Sequence, residues 1–233
     1  YERNKLQTGN DCKGDSVKAV LDFVTPGKQQ VLVKTGISPV SMDNALLNMQ
    51  TEIPHWNFDK TVADASAAWN KALSKASIQC KDETRKKIFY TALYHTMIAP
   101  SVFNDINGDY YGTDKKVYRH APFTNLTTFS LWDTYRAANP LYTLLQPGRA
   151  SDMINTMLAI YQQQGRLPVW HLVGNETNTM PGNSAIQVVA DAYLKGIKGF
   201  DTMLAYEAVR NTAMLDLRGL RFVKDRGYIP ADS

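Results

Sequence analysis

Two short stretches hold the residues that could do chemistry. One is Phe129-Ser130-Leu131-Trp132-Asp133-Thr134-Tyr135-Arg136-Ala137-Ala138-Asn139-Pro140. The other is Leu167-Pro168-Val169-Trp170-His171-Leu172-Val173-Gly174-Asn175-Glu176-Thr177-Asn178-Thr179-Met180-Pro181-Gly182-Asn183. Each sets a tryptophan close to a carboxylate where a loop meets a helix. Aromatic faces cover apolar C–H surface and carboxylate oxygens accept from hydroxyls, and a sugar ring offers both. Arg136 lies three residues after Asp133, a spacing that allows an ion pair on one helix face. The same residues also admit a structural reading. Asp133 would then be a first-turn acid complementing the helix dipole, Trp132 a core residue, and Glu176 a cap for the helix that follows. The crowding of Trp170, Met180 and two glycines into one loop favours a functional Glu176.

Other polar residues read as structural. His171 has no second histidine at ligand spacing, since the others are His55, His95 and His120. Asp105-Ile106-Asn107-Gly108-Asp109 superficially resembles the start of a calcium loop, but its glycine is misplaced for an EF-hand and the closing glutamate is absent. A turn is the better reading. Asp191 falls in an apolar helix, where a buried carboxylate needs a partner; Lys195 stands four residues on. No Gly-rich phosphate loop, G-x-S-x-G elbow or zinc spacing occurs. Cys12 and Cys80 are far apart in sequence; a disulfide and two free thiols both fit.

The elements that must position these residues are mostly helical. Residues 1–40 read as β-structure, with Val17–Val24 and Gln30–Thr35 as a hairpin around Thr25-Pro26-Gly27-Lys28. A lone hairpin is marginal in water, so it should complete a sheet whose other strands lie upstream. From Ser41 the apolar period becomes helical through Met42, Ala45, Leu46 and Met49, until Pro54. A second helix carries Val62, Ala65, Trp69, Ala72 and Leu73. A third is capped by Asp82 and stopped by Pro100. Asn107-Gly108 predicts a turn in a short β-excursion. Helices are then expected over Thr128–Ala138, stopped by Asn139-Pro140, and over Ala150–Gln164, stopped by Gly165. Two more are expected over Ser184–Lys195, nearly all apolar and therefore buried, and over Asp201–Met214, which is amphipathic. Buried and exposed helices in alternation are what a toroid of inner and outer helices would produce.

Composition narrows the classes. The 233 residues are 44% hydrophobic and 21% charged, which is globular, with a net charge of +4. Lys81, Arg85, Lys86 and Lys87 form the largest basic cluster and read as a solvated helix face, so nucleic-acid binding is not expected. No apolar run approaches the roughly 20 residues of a membrane helix. The chain does not begin with Met, and we expect it to be a fragment of a longer protein.

Three separated motifs then agree. Ser130-Leu131-Trp132-Asp133-Thr134-Tyr135-Arg136, Gln164-Gly165-Arg166-Leu167-Pro168-Val169-Trp170 and Asp191-Ala192-Tyr193-Leu194-Lys195-Gly196 resemble, in order and spacing, glycoside hydrolase family 92, the calcium-dependent exo-acting α-mannosidases. Phe89–Thr96 is similar to the family's first barrel helix, and Gly112 and Asp114 fit the hairpin after it. The resemblance implies a mainly α fold: the first part of an (α/α)6 toroid at 81–233, preceded by the last strands of an N-terminal β-sandwich at 1–40 and a helical linker at 41–80. It implies an inverting mechanism in which one carboxylic acid protonates the leaving oxygen and a carboxylate activates water, with calcium as cofactor. It also implies a mannose-containing glycan as partner and an extracytoplasmic location. Trp132 and Asp133 carry over as contacts to the terminal mannose, and Arg136 and Glu176 as pocket supports. The acid, the base and most calcium ligands are expected downstream of residue 233. Another α/α-toroid glycosidase such as a trehalase, and a non-catalytic carbohydrate-binding module, remain open.

Overall fold

The computed structural model describes residues 18, 20–27, 29–217 and 219–231. Residues 1–34 and 35–233 form two units. In the first, the predicted hairpin is not formed by the described residues: 20–27 and 29–34 carry no strand. Val20, Leu21, Phe23 and Val24 are exposed, so the apolar side chains that would hold a hairpin have nothing to pack on. Val17, Ala19, Lys28 and Cys12 lie outside the described residues, and Cys80 is a free thiol.

The second unit opens with three capped helices. The Ser41 hydroxyl accepts from the Asn44 N–H at 3.1 Å to start α1 (Met42–Glu52). The Asn57 side chain starts α2 (Phe58–Leu73) and the Asp82 carboxylate starts α3 (Glu83–Thr96) in the same way. These caps satisfy N–H groups that a helix leaves unpaired at its start. Within the described residues α2 buries no side chain and α3 buries only Leu93.

Short strands follow. β1 (Ser101–Val102) pairs antiparallel with β4 (Leu126–Thr127), and β2 (Tyr110–Tyr111) with β3 (Val117–Tyr118). The Asp105–Gly108 turn forms, with the Gly108 N–H donating to the Asp105 carbonyl at 2.8 Å and Gly108 at φ 84. Its acids are engaged by donors from the protein. Asp105 accepts from Ser38, Asn44 and Asn48, each at 2.7 Å. Burial alone would raise the Asp109 carboxyl, but the Arg119 guanidinium, the Asn44 amide and the His120 N–H outweigh it and hold it well below the usual carboxylate range.

The three-stranded sheet β5-β6-β7 comes next, from β5 (Phe129–Ser130), β6 (Trp170–Leu172) and β7 (Asn175–Glu176). β5 runs directly into α4 (Leu131–Thr134), and α5 (Ala138–Leu145) follows. The helix expected over Thr128–Ala138 is thus replaced by a strand and a single turn. Asn139-Pro140 does not stop a helix but lies in the first turn of one. There an N–H has no intrahelical acceptor, so proline loses nothing.

α6 (Pro147–Gln164) is the central helix. Met153, Ile154, Met157 and Leu158 are buried, and it ends at Gly165 in the left-handed conformation, φ 79. Burying one such side chain contributes roughly 1.5–3 kcal/mol. α7 (Ser184–Leu194) and α8 (Thr202–Met214), capped by Asp201, pack on it, and α9 (Leu220–Arg226) is last. α7 is not buried all round. Ala185, Val188, Val189 and Ala192 face the core, but Tyr193 and Leu194 are exposed, Leu194 at 81%. Asp191 is accordingly only half-buried and pairs with Lys195 at 2.7 Å, as the spacing predicts. An apolar composition shows that a helix can be covered on every side, not that the residues at hand cover it.

Candidate functional site

The sheet β5-β6-β7 brings the two sequence stretches together. Ser130 stands opposite Trp170, Phe129 opposite His171, and His171 opposite Glu176. Side chains alternate across a strand. Buried Phe129 and His171 therefore share the inner face, while Ser130, Trp170 and the exposed Leu172 share the open one. Directly opposed residues have Cβ atoms about 4.5–5.5 Å apart, which sets Trp170 beside Ser130.

Asp133 joins that open face through Ser130, whose hydroxyl donates to Asp133 Oδ2. Within the single turn of α4, Leu131 is the buried anchor at 0%, while the next residue, Trp132, is 50% exposed. An indole half in water is not a core tryptophan. The predicted Asp133–Arg136 pair does not form. Arg136 instead donates from Nε to the Tyr135 hydroxyl at 2.6 Å and lies over the Tyr135 ring, 5.3 Å from its centroid.

Glu176 is placed differently. Its Oε2 accepts from the Val169 N–H at 2.7 Å, and its Oε1 from the Trp170 and Asn178 N–H groups at 3.0 and 2.9 Å. It does not cap α7, whose N-cap Asn183 has no side-chain cap bond. The β6–β7 turn is held as firmly. Val173 and Gly174 both have positive φ, 48 and 70, an uncommon conformation for a β-branched residue. Thr127 Oγ1 accepts from the Val173 N–H at 2.6 Å, and Lys115 Nζ donates to the Gly174 carbonyl at 2.9 Å and to Asn175. From α8, Thr212 Oγ1 accepts from the Leu167 N–H at 2.9 Å and fixes the approach to Trp170. Lys115 and Thr212 gave no signal in the sequence, because only the fold brings them to the site.

His171 sits beneath this face, 2% exposed. Its Nε2 is 3.3 Å from Thr113 Oγ1, and its Nδ1 meets no hydrogen-bonding partner among the protein atoms. Burial pushes its pKa down to about 4, against the upward pull of Glu176 and with help from Lys115. The ring is therefore neutral in the fold near pH 7. Between the ordinary value near 6.5 and about 4, the unfolded chain takes up a proton that the folded chain refuses. Stability should therefore fall as pH drops through that window, by on the order of 3 kcal/mol. Denaturant midpoints at pH 7 and 4.5, compared between the wild-type protein and His171→Gln, should show a smaller pH difference in the variant. Equal differences would mean that His171 does not carry the effect.

A separate cleft of about 470 Å³ opens among α2, α5 and α6, lined by Trp69, Met97, Tyr142 and Arg149. It holds no carboxylate and no residue of the β5-β6-β7 face. Among the described residues no three His, Cys, Asp or Glu side chains converge as a metal would require.

Residues 44–233 match the model of the glycosyl hydrolase family 92 catalytic domain. The chain belongs to glycosyl hydrolase family 92. A family 92 α-mannosidase of Bacteroides thetaiotaomicron is similar in structure, with a TM-score of 0.80 and 41% identity over 84% of this chain and 27% of its own. The same enzyme has been solved in complex with mannoimidazole. An inverting family 92 mannosidase from the same organism gives a TM-score of 0.75 at 25% identity over 83% of this chain and 28% of its own. An uncharacterised secreted glycosidase of Arthroderma benhamiae is 30% identical over 218 residues, 88% of this chain and 24% of that protein. This family 92 chain therefore spans about a quarter of the length of these relatives. None of its described helices is long and apolar enough to cross a membrane.

Proposed function

We propose that this chain supplies the sugar-facing part of an inverting, exo-acting α-mannosidase that removes terminal mannose from glycans outside the cytoplasm. The single observation that carries the reading is the open face of β5-β6-β7. It sets Trp170 opposite Ser130, whose hydroxyl holds Asp133, and the half-exposed Trp132 precedes Asp133 in α4. In this reading the indoles cover the apolar face of the terminal ring and Asp133 accepts from its hydroxyls. Arg136 and Glu176 support the pocket. The neutral, buried His171 takes no part in proton transfer.

The catalytic pair is assigned to the longer enzyme. Inversion needs a carboxylic acid and a carboxylate about 6.5–9.5 Å apart, with a water between carboxylate and sugar. Glu176 stands opposite His171 on the inner face and is committed to three backbone amides, which leaves Asp133 as the carboxylate this reading places on the open face. In the same proposal residues 81–233 form the first part of an (α/α)6 toroid, 41–80 a helical linker, and 1–40 the end of a β-sandwich. Calcium belongs to the proposal for the longer enzyme, where it would polarise sugar hydroxyls; no residue of this chain is assigned to it.

The test is hydrolysis of an α-mannoside by the full-length enzyme, followed by proton NMR. The expected first product is β-mannose, the anomer formed by inversion. Release of α-mannose first would contradict inversion. Hydrolysis of trehalose instead of mannosides would overturn the substrate, and sugar binding without turnover would make the protein a binding module.

A further inference from the structure

We propose that Glu176 is a positioning residue, whose carboxylate sets the Trp170 indole at the sugar site; the inference rests on the function proposed above. Trp170 is held at both ends of its peptide unit by the segment Glu176-Thr177. Glu176 accepts the Trp170 N–H at 3.0 Å, while the Thr177 N–H and hydroxyl donate to the Trp170 carbonyl at 3.0 and 2.8 Å. The same carboxylate takes the Val169 and Asn178 N–H groups at 2.7 and 2.9 Å. One side chain thus fixes the residue before Trp170, Trp170 itself, and the chain leaving β7.

The chemistry requires a carboxylate. Two oxygens offer about four acceptor positions, and three are filled by amides. A glutamine has one acceptor oxygen, and its NH2 would face a backbone donor. With three positions filled, Glu176 is poorly placed to hold sugar hydroxyls, but well placed to fix the strand that presents Trp170 opposite Ser130. A ring that stacks equally on bound substrate and transition state affects KM and leaves kcat nearly unchanged.

The experiment is a double-mutant cycle in the full-length enzyme, with KM and kcat on an α-mannoside for wild type, Glu176→Gln, Trp170→Ala and the double variant. Glu176→Gln is expected to raise KM about 10-fold with kcat within about 3-fold, since a tenfold change corresponds to one lost placement of about 1.4 kcal/mol. In the Trp170→Ala background the same substitution should add nothing to KM. Multiplying KM effects, or an unchanged KM in Glu176→Gln, would overturn the proposal. If Glu176→Gln does not fold, Glu176→Asp keeps the charge, shortens the reach and enters the same cycle. Tryptophan emission gives a readout independent of turnover. The Glu176 variant should shift emission in the wild-type background but not in Trp170→Phe, and a shift that persists without Trp170 would overturn the proposal. A wild-type enzyme inactive on α-mannosides would overturn the proposed function, and the emission comparison would still decide the role of Glu176.

Discussion

In the full-length enzyme, Asp133→Ala is expected to lower kcat/KM on α-mannosides by at least about 100-fold while leaving thermal stability nearly unchanged. The carboxylate stands on the open face, with the Ser130 hydroxyl as its partner and the half-exposed Trp132 beside it. It can accept two hydroxyl hydrogen bonds from a terminal mannose, each charge-assisted and worth roughly 1.5–3 kcal/mol. If these bonds tighten as the ring distorts toward an oxocarbenium-like state, their loss falls on turnover as well as on affinity. Each 1.36 kcal/mol is a factor of ten, so two such bonds exceed the 100-fold threshold. A structural role gives a much smaller effect. α4 is four residues long, and an acid complementing even a full helix dipole contributes only about 0.3–1 kcal/mol, to stability rather than to rate.

Residues 1–233 alone are expected to show no measurable hydrolysis of aryl or oligomeric α-mannosides, with or without calcium. The reason is chemical. Two carboxyl groups must flank the bond that breaks. Glu176, opposite His171 on the inner face, is filled by the Val169, Trp170 and Asn178 amides. That leaves Asp133, one carboxyl where inversion needs two. Turnover by the purified chain clearly above a mock preparation would refute this division of labour.

The helix starts were legible from the apolar period and, at Asp82, from the cap, and the structure puts a cap at each of three of them. Ser41, Asp82 and Asp201 each accept the backbone N–H groups that a helix leaves unpaired. Gly165 was legible as a stop for the complementary reason, its left-handed φ. Asn139-Pro140 misled because proline breaks a helix from inside but is tolerated in its first turn. The sheet that assembles the site could not be read at all. Its strands are two or three residues long, too short for alternation to register, and its pairing joins Ser130 to Trp170 forty positions apart. The same gap hid the role of Glu176. Its partners lie six and seven residues earlier, and only the β6–β7 hairpin folds them back onto its carboxylate. Trp132 and Asp133 were singled out because the sequence sets an aromatic face beside an acceptor. The spacing allowed an Arg136–Asp133 pair, but spacing alone does not show that the Tyr135 hydroxyl and ring take the guanidinium instead.

The claim that Asp133 and its aromatic neighbours hold the terminal mannose is tested most directly by one preparation of full-length Asp133→Ala, taken through a melting curve and a mannosidase assay. Unchanged melting with kcat/KM reduced about 100-fold or more is the predicted result. Lower thermal stability with near-normal kcat/KM would contradict it and make Asp133 a structural acid at the start of α4.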